Sequence, residues 1–401
     1  MPSNRGAEAS RSPPMKPRAR TNRALRGVGV ALLGALLAFG CSLEFKGTQK
    51  PYRLSDSSYG ILASDPGAQV ALLTQLERLF GTPFEPRFAA PGDDLNRRAT
   101  AGELVTNGMA RSSEGAPAPS LRASAELYAA KCLHCHGNEG GGDGPTAATA
   151  RPKPRDFRHG HFKYDNLLDG ARPELSDLVD VITTGISGTA MPSARLQTEA
   201  QLHGLAEYVR LLAMRGEVEQ WLAAEYEPGT GITSEVADEV YGEVLELWRD
   251  AERVRFQVPG PTPEPTEASI RRGFELFHDA ERANCASCHG AGGYGRGPSA
   301  WGPLPEDPST EGWLLRDAWG EVANPRNLVE GVLLHGESPE AVHERISLGI
   351  DGTPMAGIGN TVGPGGAPVF SEDDAWSLVH YVLALRQERH AELIAELAKQ
   401  L

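Results

Sequence analysis

The chain is poor in cysteine and has no apolar segment long enough to cross a bilayer comfortably. Only five of its 401 residues are cysteines, which excludes the disulfide-dense scaffold of small secreted domains. The apolar run from Gly27 to Gly40 is shorter than the ~20 residues that a transmembrane helix needs. The formal net charge is −14, and a protein this acidic is not expected to bind nucleic acid.

Four of the five cysteines belong to two copies of one motif, Cys-x-x-Cys-His, at residues 132–136 and 285–289. In a helical turn, residues at i, i+3 and i+4 share one face, so both thiols and the imidazole point at the same object. This is the attachment motif of a c-type haem, in which the sulfurs form thioethers and the histidine ligates the iron. We therefore expect two covalently bound haem c groups. The cysteines are Cys132, Cys135, Cys285 and Cys288, and the iron ligands are His136 and His289.

Zinc is the alternative occupant of such clusters. A structural zinc site needs four converging ligands. Each cluster here offers two cysteines and one histidine, with no second cysteine pair nearby in sequence. The composition therefore favours haem over zinc.

Each motif begins a longer repeat whose landmarks occur in the same order. A glycine-rich loop leads to a Gly-Pro pair, which is followed by a Pro-Arg pair, by Gly-Ile-x-Gly-Thr-x-Met and by an amphipathic helix. The repeat predicts two domains of the same fold. The landmarks are Gly144-Pro145, Pro154-Arg155 and Gly185 to Met191 in the first copy, and Gly297-Pro298, Pro325-Arg326 and Gly349 to Met355 in the second.

Met191 and Met355, at the last of these landmarks, are the predicted sixth iron ligands. Each follows a glycine-rich stretch whose flexible backbone lets a thioether reach across a porphyrin, and of six methionines only these two share a context. Bis-histidine ligation is the alternative and would lower the reduction potentials. The competing histidines have no counterpart in the other repeat, which favours the methionines. They are His159, His161, His335 and His343.

Two further pairs of matching residues are candidates for cofactor binding. The guanidinium groups of Arg155 and Arg326 suit bidentate contacts to haem propionates. The carbonyl groups of Pro145 and Pro298 are predicted to accept a hydrogen bond from the second ring nitrogen of His136 and His289, which would orient each imidazole.

The N-terminal residues have the pattern of an export signal, with arginines before an apolar run that ends at Cys41. The residues before Cys41 resemble a bacterial lipoprotein cleavage site, so we expect lipidation of Cys41 and a lipid anchor on the periplasmic side of a bacterial membrane. An uncleaved signal anchor that extends to Phe45 is the alternative. Both place the haems outside the cytoplasm. Because the leader carries seven basic residues and one acidic residue, its removal leaves a net charge of about −20.

Such an acidic surface is expected to dock against basic patches on redox partner proteins. The stretch between Pro298 and Pro325, which the first repeat lacks, is predicted to be a surface loop and a candidate docking element.

The order of segments along the chain follows from these features. Each repeat opens with a short helix that carries an aromatic residue, Tyr128 or Phe277. These opening helices should cross the closing helices of the repeats. The crossing should be less tight in the first repeat, where Ser124 replaces the glycine found at Gly273 in the second. We expect a signal peptide at 1–40, a tether with one helix near Ala68 to Phe80 at 41–121, the first domain at 122–215, a linker at 216–266, the second domain at 267–388 and a helical tail at 389–401. The linker is predicted to contain a helix from Ser234 to about Phe256 and a stiff spacer from Pro259 to Pro265.

Residues 122–215 and 267–388 resemble two class I cytochrome c domains, the family marked by an early Cys-x-x-Cys-His and a late axial methionine. The resemblance implies an all-α fold, with two small helical domains in tandem joined by a helical and Pro-rich linker. It also implies one-electron transfer in the bacterial periplasm. Ser124, the insertion after Pro298 and the extra segments around the first domain depart from the family pattern.

The leading functional prediction is a di-haem carrier or relay in a bacterial respiratory chain, without enzymatic activity of its own. The alternatives are a cytochrome c subunit of a haem-copper oxidase or of an alternative quinol-oxidising complex, and a di-haem peroxidase or dehydrogenase. The enzymes would need an iron with an open or displaceable site, and two methionine ligands count against that.

Overall fold

The computed structural model describes residues 50–88, 120–163, 172–250, 256–334, 336–359, 361 and 369–401. All of them belong to one compact unit, which extends from Lys46 to Leu401. The predicted signal peptide, Cys41 and His335 lie outside the described residues. None of the helices in these ranges is both long and apolar enough to cross a membrane.

The described residues before 251 form the first domain. Its elements are α1 (Asp56–Ile61), α2 (Pro66–Phe80), β1 (Gly81–Thr82), β2 (Glu85–Pro86), α3 (Leu121–Lys131), α4 (Leu133–His136), α5 (Leu175–Thr184), α6 (Glu199–Ala224) and α7 (Ser234–Asp250), with 3-10 turns at Ala147–Thr149 and Phe157–His159.

The described residues from 256 onwards form the second domain. Its elements are α8 (Glu267–His278), α9 (Ala286–His289), β3 (Trp301–Leu304), β4 (Asp307–Trp313), α10 (Pro339–Leu348), α11 (Glu372–Ala384) and α12 (Ala391–Ala398), with a 3-10 turn at Glu388–His390. The strands form two antiparallel pairs, β1 with β2 and β3 with β4. The predicted all-α fold with two domains in tandem is confirmed, with these two small sheets as additions.

Side-chain caps define where the long helices begin. Thr198 accepts a hydrogen bond from the backbone of Gln201, whose side chain accepts in return from the backbone of Thr198, and Ser371 and Asp374 make the same reciprocal pair at the start of α11. Such capping boxes satisfy backbone N–H groups that the first helical turn leaves without partners.

The first domain is larger than the sequence predicted. The helix α6 runs without a break through the expected boundary at residue 215 and ends at Ala224. The expected tether and linker also contribute to its core, because α2 and α7 pack against α6 and against each other. Their apolar sides bury surface that α6 would otherwise expose to water. The buried residues they supply include Leu72, Leu76, Phe80, Val240, Tyr241, Val244 and Trp248.

A crossing of the opening and closing helices forms the centre of each domain, as the repeat predicted. In the first domain the rings of Tyr128 and Tyr208 meet edge to face at 5.1 Å. In the second, Phe277 and Tyr381 meet in the same way at 5.2 Å. Aromatic pairs favour this geometry because the positive ring edge meets the negative ring face.

The insertion between Pro298 and Pro325 is not the plain surface loop that the sequence predicted. Residues 301–313 form the hairpin of β3 and β4, in which the Trp301 and Trp313 rings contact each other at 4.9 Å. The residues that follow form a second reversal, with a bridge between Arg316 and Val322. We call residues 315–323 the insertion tip.

Candidate cofactor sites

Both Cys-x-x-Cys-His motifs form one helical turn, as their spacing predicted. The amide of His136 donates to the carbonyl of Cys132 at 2.9 Å, and the amide of His289 donates to that of Cys285 at 2.9 Å. The four cysteines of the described residues are free and partly buried. The two thiols and the imidazole of each motif line one cavity.

The second ring nitrogen of each histidine contacts a backbone carbonyl, but not the one that the sequence predicted. The Nδ1 of His136 lies 3.3 Å from the carbonyl oxygen of Arg155, and the Nδ1 of His289 lies 2.9 Å from that of Arg326. Since a carbonyl can only accept, Nδ1 carries the proton and Nε2 keeps its lone pair for a metal.

The carbonyl groups of Pro145 and Pro298 were the wrong choice because the Gly-Pro turn packs behind the motif helix. The amide of Gly144 donates to the carbonyl of Cys135 at 3.1 Å, and a Cβ at Gly144 would lie 2.5 Å from the carbonyl oxygen of His134. Gly297 makes the same contacts with Cys288 and Ser287. Both glycines are therefore required for close backbone approach.

Burial favours the neutral form of the histidine and of the first cysteine in each motif. It lowers the pKa of His136 to about 4 and also lowers the pKa of His289. It raises the pKa of Cys132 and of Cys285 to about 12. A Cys-x-x-Cys pair that works as a redox dithiol has a lowered thiol pKa, and the raised pKa of Cys132 and of Cys285 is the opposite of that.

The two methionine loops have the same backbone hydrogen bonds. The amide of Ile186 donates to the carbonyl of Met191 at 3.2 Å, and Ile350 donates to Met355 at 3.0 Å. The amide of each methionine donates to the threonine hydroxyl two residues earlier, at 3.1 and 3.2 Å. Both loops begin at a glycine with positive φ, Gly185 at 67° and Gly349 at 79°, a conformation that favours glycine.

A cavity of about 1750 Å³ connects the two sites. This volume exceeds the roughly 300–1,000 Å³ of a typical site for one small ligand or cofactor, and both methionines line it. Matching apolar side chains from both domains also line it, four from each. They are Leu178, Ile182, Leu205 and Val209 in the first domain and Val342, Ile346, Leu378 and Val382 in the second.

These residues fit haem c. Each site offers two thiols on one edge, a neutral imidazole with a free Nε2, a methionine loop and apolar walls for a macrocycle. Zinc fits less well, because each motif brings two thiols and one imidazole to the cavity, whereas a structural zinc site needs four ligands.

Arg155 and Arg326 both line the cavity, where propionates of a bound haem would need partners. The guanidinium of Arg155 also lies 3.4 Å from the centre of the Trp319 ring and 3.7 Å from a carboxylate oxygen of Asp317. Contact with a propionate remains a prediction for both arginines.

Two of the competing histidines are engaged elsewhere. The Nδ1 of His161 lies 2.8 Å from the carboxylate of Asp351, and the fully buried His343 lies 2.8 Å from the carboxylate of Glu372. His159 does line the cavity, and its ring lies 6.4 Å from that of Trp319.

Sequence reasoning missed the residues that join the two sites. Asp317 and Trp319 lie in the insertion tip and contact Arg155 and Lys163 of the first domain. The high tryptophan content of the insertion was the available signal. It did not reveal which surface these side chains cover.

The matches to family models agree with the geometry of the two sites. Residues 119–209 match the family model described as cytochrome C oxidase, cbb3-type, subunit III, and residues 270–386 match the model described as cytochrome c. No curated protein matches the chain. Among solved structures, a chain of the Kuenenia stuttgartiensis reducing HAO-like protein complex is 26% identical with a TM-score of 0.49. The alignment covers 67% of this chain and 97% of that chain.

Proposed function

Because the chain is a c-type cytochrome with two cytochrome c domains in tandem, we propose that it binds two haem c groups covalently and passes single electrons between them. Electron transfer is the activity that cytochrome c domains provide. The finer proposal is a relay in a bacterial respiratory chain, outside the cytoplasm, between a donor and an acceptor protein.

The equivalence of the two ligand sets is the observation that carries this proposal. In both domains the histidine donates from Nδ1 to the carbonyl of an arginine, and the methionine loop closes with the same hydrogen bonds. Two haems with the same ligand chemistry suit a relay, because neither iron is left open for a substrate. Haem supplies the one-electron couple, and the protein supplies attachment, axial ligands and an apolar enclosure.

The location of the relay depends on Cys41, which lies outside the described residues. We propose that the mature chain begins at a lipidated Cys41 on the periplasmic side of a bacterial membrane, and the arginine-rich apolar leader supports this. An uncleaved signal anchor is the alternative. Mass spectrometry of the mature N-terminus distinguishes the two, because a lipid-anchored chain should begin at an acylated Cys41, whereas a signal-anchored one should keep its leader.

Mass spectrometry of the protein matured in a host that attaches c-type haem tests the central proposal. The peptides of both motifs should each carry one haem. Replacing both cysteines of one motif, as in Cys132→Ser with Cys135→Ser, should remove one haem from the chain and leave the other. Cys41→Ser is the matched control, because it removes a cysteine and should leave both haems attached. The proposal fails if neither motif peptide of the mature wild-type protein carries haem.

A second candidate is a cytochrome c subunit of a haem-copper oxidase. The match of residues 119–209 to the subunit III model of a cbb3-type oxidase favours it. A subunit should co-purify with an integral membrane oxidase after mild detergent extraction, whereas a free relay should elute alone. Affinity purification of the full-length chain, followed by identification of the bound proteins, separates the two.

A further inference from the structure

The insertion tip of the second domain contacts the first domain through buried and half-buried charges. The Oδ2 atom of Asp317 lies 3.7 Å from Nη1 of Arg155 and 3.4 Å from Nζ of Lys163. Only 6% of the Asp317 side chain is exposed, so water screens this contact less than it screens a surface ion pair. At the rim, Lys153 and Glu321 form a more exposed pair at 2.9 Å.

Charge is segregated across this contact. The first domain contributes Lys153, Arg155 and Lys163, while the second contributes Asp317 and Glu321. A further contact joins His161 of the first domain to Asp351 of the second. Because unlike charges oppose each other at several points, the two domains are electrostatically complementary in this arrangement.

The tip itself is held in one conformation by its own hydrogen bonds. The Oδ1 atom of Asp317 accepts from the amides of Trp319 and Glu321, at 3.1 and 3.0 Å. Gly320 has a positive φ of 76°, which lets the chain reverse there. The amide of Ala318 donates to the carbonyl of Gly352 at 2.8 Å. One carboxylate therefore shapes the tip and also contacts the other domain.

The indole of Trp319 lies between groups that belong to the two cofactor sites. The guanidinium of Arg155 covers the ring at 3.4 Å, and the carbonyl of the same arginine accepts from His136. The same ring also packs against Gly352, where an added Cβ would lie 2.2 Å from it. Gly352 belongs to the loop that ends at Met355. A continuous series of contacts therefore leads from the histidine of one site to the methionine loop of the other.

The methionine loop of the first domain also faces the interface. Gly188, which corresponds to Gly352, lies against Leu334 and Val332 of the second domain, and an added Cβ would be 3.1 Å from Leu334. Each methionine loop thus contacts a residue of the second domain that lines the common cavity, Leu334 for the first loop and Trp319 for the second.

We propose that Trp319 is a positioning residue that, with Asp317, holds the two domains together so that the two haems share one cavity at a fixed separation. The inference rests on the proposed function, since it concerns transfer between two haems. It adds that the insertion is an internal clamp. Electron exchange between the haems then occurs within the chain and does not require an encounter with a second molecule.

Circular dichroism in the Soret region of the mature protein tests the clamp, because two haems held close together in fixed orientation couple and add a split signal beyond the sum of the signals of the two haems taken separately. The wild-type protein should show the split signal, and Trp319→Ala should lose it while both haems remain attached by mass. Trp313→Ala is the matched control, since this tryptophan of the same insertion packs against Trp301 and is not among the residues lining the cavity. Trp319→Phe, which keeps an aromatic face for Arg155, should restore the signal.

The possible outcomes separate this inference from the proposed function. A wild-type protein with two haems and no split signal would overturn the clamp and leave the electron-transfer proposal intact. A Trp319→Ala protein with an unchanged split signal would also overturn the clamp and leave the electron-transfer proposal intact. If Trp319→Ala chains lose a haem, Asp317→Asn provides the second reading. It keeps an oxygen for the amides of Trp319 and Glu321 but removes the charge that faces Arg155 and Lys163. It should therefore weaken the split signal, and no change there would again overturn the clamp. A wild-type chain without haem would overturn both proposals.

Discussion

At the scale of single residues, Met191 and Met355 are distinguished by their surroundings and not by their residue type. A buried methionine is usually core filler, and Met214, which is 1% exposed in α6, is an example. Met191 and Met355 instead end loops with matching hydrogen bonds and line the common cavity. Their repeated placement supports a ligand role that composition could not have indicated.

Replacing either methionine should change one haem and spare the other. In Met355→Ala the second iron should lose the proposed thioether ligand, and a thioether ligand stabilises the reduced state of the iron. We expect the reduction potential of that haem to fall and about half of the methionine-to-iron charge-transfer band to disappear, as one of two equivalent sites is lost. Met191→Ala should do the same to the first haem. A redox titration followed by absorption measures both effects.

Met214→Leu is the control for this prediction, since it changes a core methionine and should leave both potentials unchanged. The double variant Met191→Ala with Met355→Ala should lose the methionine-to-iron charge-transfer band entirely. If the full band persisted in this variant, methionine ligation would be contradicted. A high-spin haem in the resting wild-type protein would favour an enzyme over a relay.

At the scale of elements, the helix crossing in each domain depends on one glycine and one serine. In the second domain Gly273 of α8 meets Ser377 of α11, and an added Cβ at Gly273 would lie 2.0 Å from the Ser377 carbonyl oxygen. In the first domain Ser124 of α3 takes the place of that glycine, and Gly204 of α6 takes the place of the serine. Both Ser124 and Gly204 are buried. The substitution of Ser124 for glycine is therefore accompanied by a glycine on the opposite helix.

The variant Gly273→Ala should destabilise the second domain. The new methyl group would overlap the backbone of α11, so the helices would have to separate, and overpacking of this kind typically costs about 1–3 kcal/mol. Denaturant unfolding of the mature protein measures the change as a lower midpoint.

Gly242→Ala in α7 is the matched control. A Cβ there would meet no atom within 4 Å, and alanine is more stable than glycine in a helix interior by roughly 0.5–1 kcal/mol. Its stability should therefore rise. Equal effects of the two substitutions would show that the crossing of α8 and α11 is looser than the structure indicates.

At the scale of the whole molecule, segments outside the two repeats are part of the first domain. The hydroxyl groups of Tyr52 and Tyr208 lie 2.9 Å apart, and the amide of Ser55 donates to Glu219 at 2.6 Å. Glu219 is buried and also pairs with Arg215 at 3.0 Å. Because a buried charge left unpaired is costly, this pair and its backbone partners hold the residues around 50–55 against α6.

The charge of the molecule should make its reactions with partners dependent on salt. Three of its cations face the second domain, and the chain without its leader has a net charge of about −20. We expect the rate of electron transfer to a basic redox protein to fall as ionic strength rises, since the Debye length shrinks from about 30 Å at 0.01 M to about 10 Å at 0.1 M. Stopped-flow mixing of the two proteins at several salt concentrations measures this rate of electron transfer.

Reduction of the protein by a neutral small-molecule mediator is the control for the salt series. The rate of this reduction should stay constant as ionic strength rises. A rate with the basic protein that is flat or that increases with salt would mean that the docking surface is not acidic.

Much of the local structure of the two candidate sites could be predicted because it depends on local sequence. The spacing of Cys132, Cys135 and His136 requires only one helical turn to bring the three groups together, and that turn forms. The hydrogen bond from the amide of Met355 to the hydroxyl of Thr353 is also local, because the two residues are only two positions apart. Contacts over so short a distance in sequence leave the chain little conformational choice.

The rest depended on which distant segments meet. The sequence determined the two attachment motifs, the methionine loops and the tandem order of two helical domains, because these follow from periodicity and short-range hydrogen bonding. Only the tertiary structure decided that Arg155 and Arg326 supply the carbonyl partners of the histidines. It also decided that α2 and α7 complete the core of the first domain, and that Trp319 lies between the two cofactor sites. The physical reason is that packing between segments far apart in the chain is selected by the burial and charge complementarity of whole surfaces, which no local pattern records.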